Sequence, residues 1–169
     1  MDALECIHTR RSVRRFEDKE VPESFIKEIL AAGMTAPSAG NQQPWQFIVI
    51  KDKKTLNKIP EFHEYAQMCR NANIAILVCA DLSNIKHEDM WQQDCSAATQ
   101  NILLAAHAIG LGAVWCGVYP RKSKMDGFKE LLSIPDGIVP FSLVPVGYPA
   151  MNTGRVDRFK QERIHHETW

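Results

Sequence analysis

The chain lacks an excess of either charge: its 169 residues hold 20 Lys plus Arg and 20 Asp plus Glu. That balance excludes the basic footprint of a nucleic-acid binder and offers little electrostatic resistance to self-association. A long apolar run is also missing. The nearest candidate, Ile102 to Val118, is interrupted by His107, Gly110 and Gly112, so it reads as helix, turn and strand and no membrane contact is expected. Met1 to Arg11 has no apolar core of the kind a signal peptide carries. Cysteine is sparse. Cys6, Cys69, Cys79, Cys95 and Cys116 are odd in number and form no C-x-x-C pair, which argues against a disulfide framework and a zinc ribbon. Reduced, buried thiols in a cytoplasmic protein are expected instead. No H-E-x-x-H helix occurs among the six histidines, and adjacent His165 and His166 diverge on any regular element, so no metal site is expected. No Gly-x-Gly-x-x-Gly joins a strand to a helix. Gly110 and Gly112 precede a strand, the wrong order for a Rossmann turn.

What is present is an ordinary globular balance of 45% hydrophobic and 24% charged residues. With no repeat or low-complexity segment, it implies a single domain over residues 1–169. Asp2 can cap a first helix running to about Thr9 with Leu4 and Ile7 on one face. Pro22 suits the first turn of a second helix whose stripe is Phe25, Ile26, Ile29, Leu30 and Gly33. Residues 36–41 form a loop and 46–50 a strand. Lys53–Ile59 and Glu61–Arg70 read as short helices on either side of Pro60. Ile74–Ala80, apolar throughout, predicts a strand covered on both faces. Met90–Ile109 is the longest helix, ended by Gly110. A strand at 113–118, a helix at 125–132 and a strand at 141–146 follow. Residues 150–169 form a polar tail with no core of its own, which needs a surface to lie against. The class is α+β.

Four segments carry candidate chemistry. Arg10-Arg11-Ser12-Val13-Arg14-Arg15-Phe16 concentrates four guanidinium groups, whose planar donor forks suit phosphate and ring carbonyls. A solvated charged turn is the alternative. Ala36-Pro37-Ser38-Ala39-Gly40-Asn41-Gln42-Gln43-Pro44-Trp45 joins small residues, which let a flat ligand approach the backbone, to several hydrogen-bonding side chains; composition alone also fits a plain connection. Gly110 to Val118 can present backbone N–H groups or be simply a core strand. Gly147-Tyr148-Pro149 precedes Arg155 and Arg158, a late basic pair that can close on a phosphate or stay solvated.

Taken in order along the chain, these segments resemble the nitroreductase family, in particular its short members, over nearly the whole length. The resemblance implies an α+β fold with a central, mainly antiparallel sheet flanked by helices, and a homodimer with FMN at its interface. It implies that Arg10, Arg11, Ser12 and Arg14 line the flavin, with Arg10 and Arg158 (or Arg155) on the phosphate and Arg14 near the N1/O2 edge. Pro37, Ser38, Ala39 and Asn41 would come from the partner subunit. Trp115, Cys116, Gly117 and Val118 would lie beside the ring, a backbone N–H toward N5. The implied activity is hydride transfer from NADH or NADPH through FMN to a small electron-poor acceptor such as a nitroaromatic or quinone. Chemistry resides on the flavin, so no catalytic side chain is assigned. An FMN protein of the same fold serving storage, sensing, dehalogenation or flavin cleavage is the alternative. Two departures stand out: larger relatives carry an Asn-x-x-Lys ring contact where this chain reads Tyr65 to Met68, and a Glu where it has Gly117.

Overall fold

The computed structural model describes residues 1–151 and 153–169. Ten elements succeed one another: α1 (Ala3–Thr9), α2 (Glu23–Met34), β1 (Trp45–Ile50), α3 (Lys53–Phe62), β2 (Ile74–Asp81), α4 (Trp91–Ala108), β3 (Gly112–Ala113), β4 (Cys116–Gly117), α5 (Lys122–Leu132) and β5 (Ile138–Gly147). Short 3-10 turns occupy Ala39–Asn41, Glu64–Arg70 and Gln161–Arg163. The strands form one sheet in the order β1-β2-β5-β3, with β4 also on β5. Every strand pairing is antiparallel.

β2 lies between β1 and β5 in the sheet and is buried on both faces. Its side chains alternate as the pleat requires. Ile74, Ile76, Val78 and Ala80 join the core under α2 and α4, which includes Ile29, Ile102 and Ala106. Ala75, Leu77 and Cys79 face the opposite layer, with Leu56, Ile59 and Phe128 of α3 and α5. The sheet is thus sandwiched between two helical layers, and its continuous apolar sequence follows from that.

Local signals account for several boundaries. Asp2 accepts a hydrogen bond from the Glu5 amide at 2.9 Å, capping α1. Pro22 flanks α2, and Gly110 takes φ +84° just past α4, where its missing β-carbon removes the steric penalty. On α2 the β-carbon position of Gly33 lies 3.0 Å from Ile102 Cγ1, so the small residue lets α2 and α4 approach closely.

On α1, Cys6 is the buried residue, and Leu4 and Ile7 are exposed. Two expectations are corrected. Pro60 does not separate two helices. It lies inside α3, where Leu56, Ile59 and Pro60 are buried together and the His63 amide still closes the last turn on Ile59 O at 3.0 Å. Residues 113–118 are two short strands on β5 rather than one. All five cysteines are free and buried, and among the described residues no helix is long and apolar enough to cross a membrane.

Candidate cofactor site

The arginine-rich turn is laced to the sheet on both sides. The Val13 amide donates to Ala113 O at 3.0 Å, the Glu17 amide to Tyr148 O at 2.9 Å, and the Ala150 amide to Arg15 O at 2.9 Å. Buried Val13 and Phe16 pin the turn, leaving Ser12, Arg14 and Arg15 exposed. Arg10 is held by burial, and by repulsion from Arg11 and Arg158, below the ordinary guanidinium pKa. The chain's beginning and its tail therefore bring three cations together. Arg11 donates to Arg10 O at 2.6 Å, to His8 O at 3.2 Å and to Val156 O at 3.5 Å, tying the tail to the turn. None of the ion pairs among the described residues includes an arginine. Gathered cations without a carboxylate are a site for an anion. Arg155 and Arg158 are both exposed, and of the two it is Arg158 that helps lower the Arg10 pKa.

A cavity of about 490 Å³ opens beside this turn, with Arg14, His63, Tyr65, Gln67, Trp115 and Gly117 among its walls. The volume falls in the range of small-molecule sites. Gly117 is exposed to it, and a β-carbon there would meet nothing within 4 Å. The ladder fixes the backbone's direction. Gly117 faces Ser142 in the register, and the Val118 amide donates to Phe141 O at 3.1 Å. Antiparallel pairs alternate between hydrogen-bonded and non-bonded, so Gly117 takes the non-bonded position and turns both its N–H and its C=O away from β5. The carbonyl meets His63 Nε2 at 3.0 Å.

Cys116 lines the same cavity. Burial pushes its thiol up to about 11, only partly offset by Arg14 and Lys124, so it stays protonated near neutral pH and is no nucleophile. Lys124 is buried, its ammonium 3.4 Å from Glu64 and 4.8 Å from the centre of the Tyr65 ring. His63 and Lys124 were not legible in the sequence, since both sit in unremarkable local contexts and meet the site only through the fold.

Residues 37–43 lie elsewhere in the same chain. The buried Asp94 carboxylate, near the start of α4, accepts from the Ala39 amide at 2.9 Å and from Gln42 Nε2 at 2.7 Å. Gln42 Oε1 accepts from the amides of Lys86 and His87 at 3.1 and 3.0 Å. This bracing sustains positive φ at Gly40, Asn41 and Gln43, a strained stretch of the kind found at ligand clamps. His107, near the other end of α4, touches Thr9 at 2.8 Å beside the arginine turn. Thirteen residues at 1.5 Å each put the two ends roughly 20 Å apart. The structure thus gathers Arg10, Arg11 and Arg158, and it sets Arg14 in one cavity wall with Trp115, Cys116 and Gly117. Val118 is fully buried behind that wall, and Ser12 bridges to Ala113. The structure holds Pro37, Ser38, Ala39 and Asn41 apart from these residues.

Comparison with known proteins gives a consistent result. The model of the nitroreductase family matches residues 7–76 and 61–148. A protein of Methanothermobacter thermautotrophicus, provisionally named NADH dehydrogenase/NAD(P)H nitroreductase, is 53% identical over 100% of this chain and 88% of its own. A crystal structure from Clostridium acetobutylicum, provisionally named NADH oxidase, superposes with TM-score 0.95 at 42% identity over 97% of this chain and 99% of that one. A provisionally named nitroreductase in complex with FMN, from Desulfovibrio desulfuricans, superposes with TM-score 0.84 at 32% identity over 100% and 99%.

Proposed function

The chain belongs to the nitroreductase family, and on that premise we propose how its residues serve an NAD(P)H-dependent, FMN-dependent oxidoreductase. The observation that carries the reading is an arginine-rich turn that no carboxylate pairs among the described residues, with Arg10, Arg11 and Arg158 close together and Arg14 in the wall of a cavity shared with Trp115, Cys116 and Gly117. Arg10, Arg11 and Arg158 would hold the phosphate. The charge proximity of Arg158 to Arg10 favours it over Arg155. Arg14, beside Cys116, would stand at the N1/O2 edge, where a fixed guanidinium favours the developing negative charge. Ser12, Trp115, Cys116, Gly117 and Val118 would border the ring, with the Gly117 N–H free to donate. FMN supplies the hydride chemistry when bound; the residues orient it and set its electrostatics.

The active unit in this reading is a homodimer. Pro37, Ser38, Ala39 and Asn41 sit roughly 20 Å along α4 from the arginine turn, so they would reach a flavin held by the other chain. Supporting this, Leu4, Ile7 and Met34 are exposed at 67%, 54% and 52%, and tail residues Phe159 and Trp169 at 71% and 99%. Apolar groups left in water at this density mark an interaction surface. Residues 150–169 would pack on the partner.

The acceptor is a small, flat, electron-poor molecule such as a nitroaromatic or quinone, which a cavity open at Gly117 admits. Steady-state oxidation of NADH and of NADPH by FMN-loaded protein, with nitrofurazone and with a quinone, tests this. Acceptor-dependent turnover with at least one nicotinamide is expected. A loaded protein that oxidises neither would point to a flavin-binding role without turnover.

A further inference from the structure

His63 is fully buried, next to the apolar Ile59 and Phe128. Its Nε2 lies 3.0 Å from the Gly117 carbonyl oxygen. A carbonyl only accepts, so Nε2 carries the hydrogen and donates. Nδ1 is sealed from water without a partner among the described residues. Burial and the Lys124 ammonium both hold the imidazole below the ordinary histidine pKa. The ring is therefore a neutral, fixed donor. An aliphatic side chain would fill this space without leaving a buried nitrogen unpaired, so packing alone does not explain a histidine here.

The bond braces the peptide plane that follows Gly117 in a strand only two residues long. The Val118 amide of that plane is held by Phe141 O, and the His63 bond adds a second restraint at the residue of β4 that has no side chain. Both polar groups of Gly117 face the outer edge of β4, where no further strand pairs among the described residues. His63 takes the carbonyl there and leaves the N–H toward the cavity.

We propose that His63 is a positioning residue for the redox centre: by bracing the peptide plane that follows Gly117 it limits rotation of the Gly117 backbone, whose N–H is offered to the bound flavin. The proposal rests on the reading that residues 115–118 border the flavin ring. A donor held in place acts on an atom whose charge changes on reduction, whereas a wandering one reorients and loses that selectivity.

The test compares His63→Met, which removes the donor at similar size, with His63→Gln, whose Nε2 reaches a similar position. Each is loaded with FMN, its fold and assembly are checked, and the midpoint potential of the bound FMN is measured. His63→Met is expected to change the ratio of dissociation constants for reduced and oxidised FMN by about tenfold, as outer partners of a reacting group do. His63→Gln is expected to restore most of it. A wild-type potential in His63→Met, or equal shifts in both variants, overturns the proposal. In case His63→Met fails to fold, wild-type protein labelled with ¹⁵N-histidine gives a second readout. The His63 Nε2 signal is expected to be protonated and to shift on flavin reduction; a silent signal overturns the proposal equally. Gly117→Val separates this failure from failure of the site itself. Its side chain would project into the open cavity, so the variant is expected to lose FMN while staying folded. Undiminished FMN affinity in Gly117→Val removes the site, whereas lost affinity with a silent His63 removes only the positioning role.

Discussion

Val13 occupies the space that a β-carbon on Gly112 would need, with its Cβ and Cγ1 both 2.7 Å from that position. The contact locks the arginine turn against β3, because the Val13 amide also donates to Ala113 O. A methyl group at residue 112 would have to push the turn outward. Gly112→Ala is expected to lower stability by about 1–3 kcal/mol, the usual range for overpacking, and to weaken FMN binding. Urea unfolding of the apo-protein and a flavin fluorescence titration measure the two effects.

Arg14 lines the cavity beside Cys116, whereas its neighbour Arg15 is outside it and contributes a backbone carbonyl to Ala150. Arg14→Ala is expected to reduce FMN affinity or shift the flavin potential; Arg15→Ala is expected to do neither. For the phosphate cluster, Arg158→Ala is expected to weaken FMN roughly tenfold to a hundredfold, the value of a charge-assisted hydrogen bond, and to leave riboflavin affinity unchanged. Parallel titrations with the two flavins decide it. Equal losses for both would remove Arg158 from the phosphate.

If each cavity is completed by the partner's loop, damage on opposite sides of the site must complement. Arg14→Ala and a Pro37 or Asn41 variant are each expected to bind FMN poorly alone. After subunit exchange at equal amounts, mixed dimers hold one intact site each, so about a quarter of the sites should recover by random pairing. FMN stoichiometry after mixing reads this directly. No recovery, with subunit exchange demonstrated, would place both sets of residues on one chain.

Stability should also depend on pH below neutrality. Burial and then Lys124 lower the pKa of His63, and burial and then Arg10 and Arg11 lower that of His107. The unfolded chain therefore takes up these protons first, near 6.5. Stability is fully present above that value and is lost as pH falls through the lower folded-state values. Apo-protein melts between pH 7.5 and 5 are expected to show a falling midpoint, with a smaller slope in His63→Gln. A flat profile would contradict the burial argument.

Much of the frame was legible from short-range chemistry. Asp2, Pro22 and Gly110 mark helix ends because capping and φ preferences act over a few residues. β2 announced itself because burial on both faces leaves no polar alternation. Pro60 misled because its effect depends on burial with Leu56 and Ile59, which a local pattern does not encode. The arginine turn and Arg158 were readable as motifs, although their meeting spans nearly the whole chain. His63 gave no such signal. It meets β4 only through the fold, where the turn after α3 reaches the Gly117 carbonyl.

The most direct measurement is an equilibrium titration of dialysed protein with FMN, followed by anaerobic addition of NADH or NADPH. The account predicts saturable binding at micromolar concentration or below and bleaching of the bound flavin by at least one nicotinamide. Protein that leaves FMN free at those concentrations would contradict it.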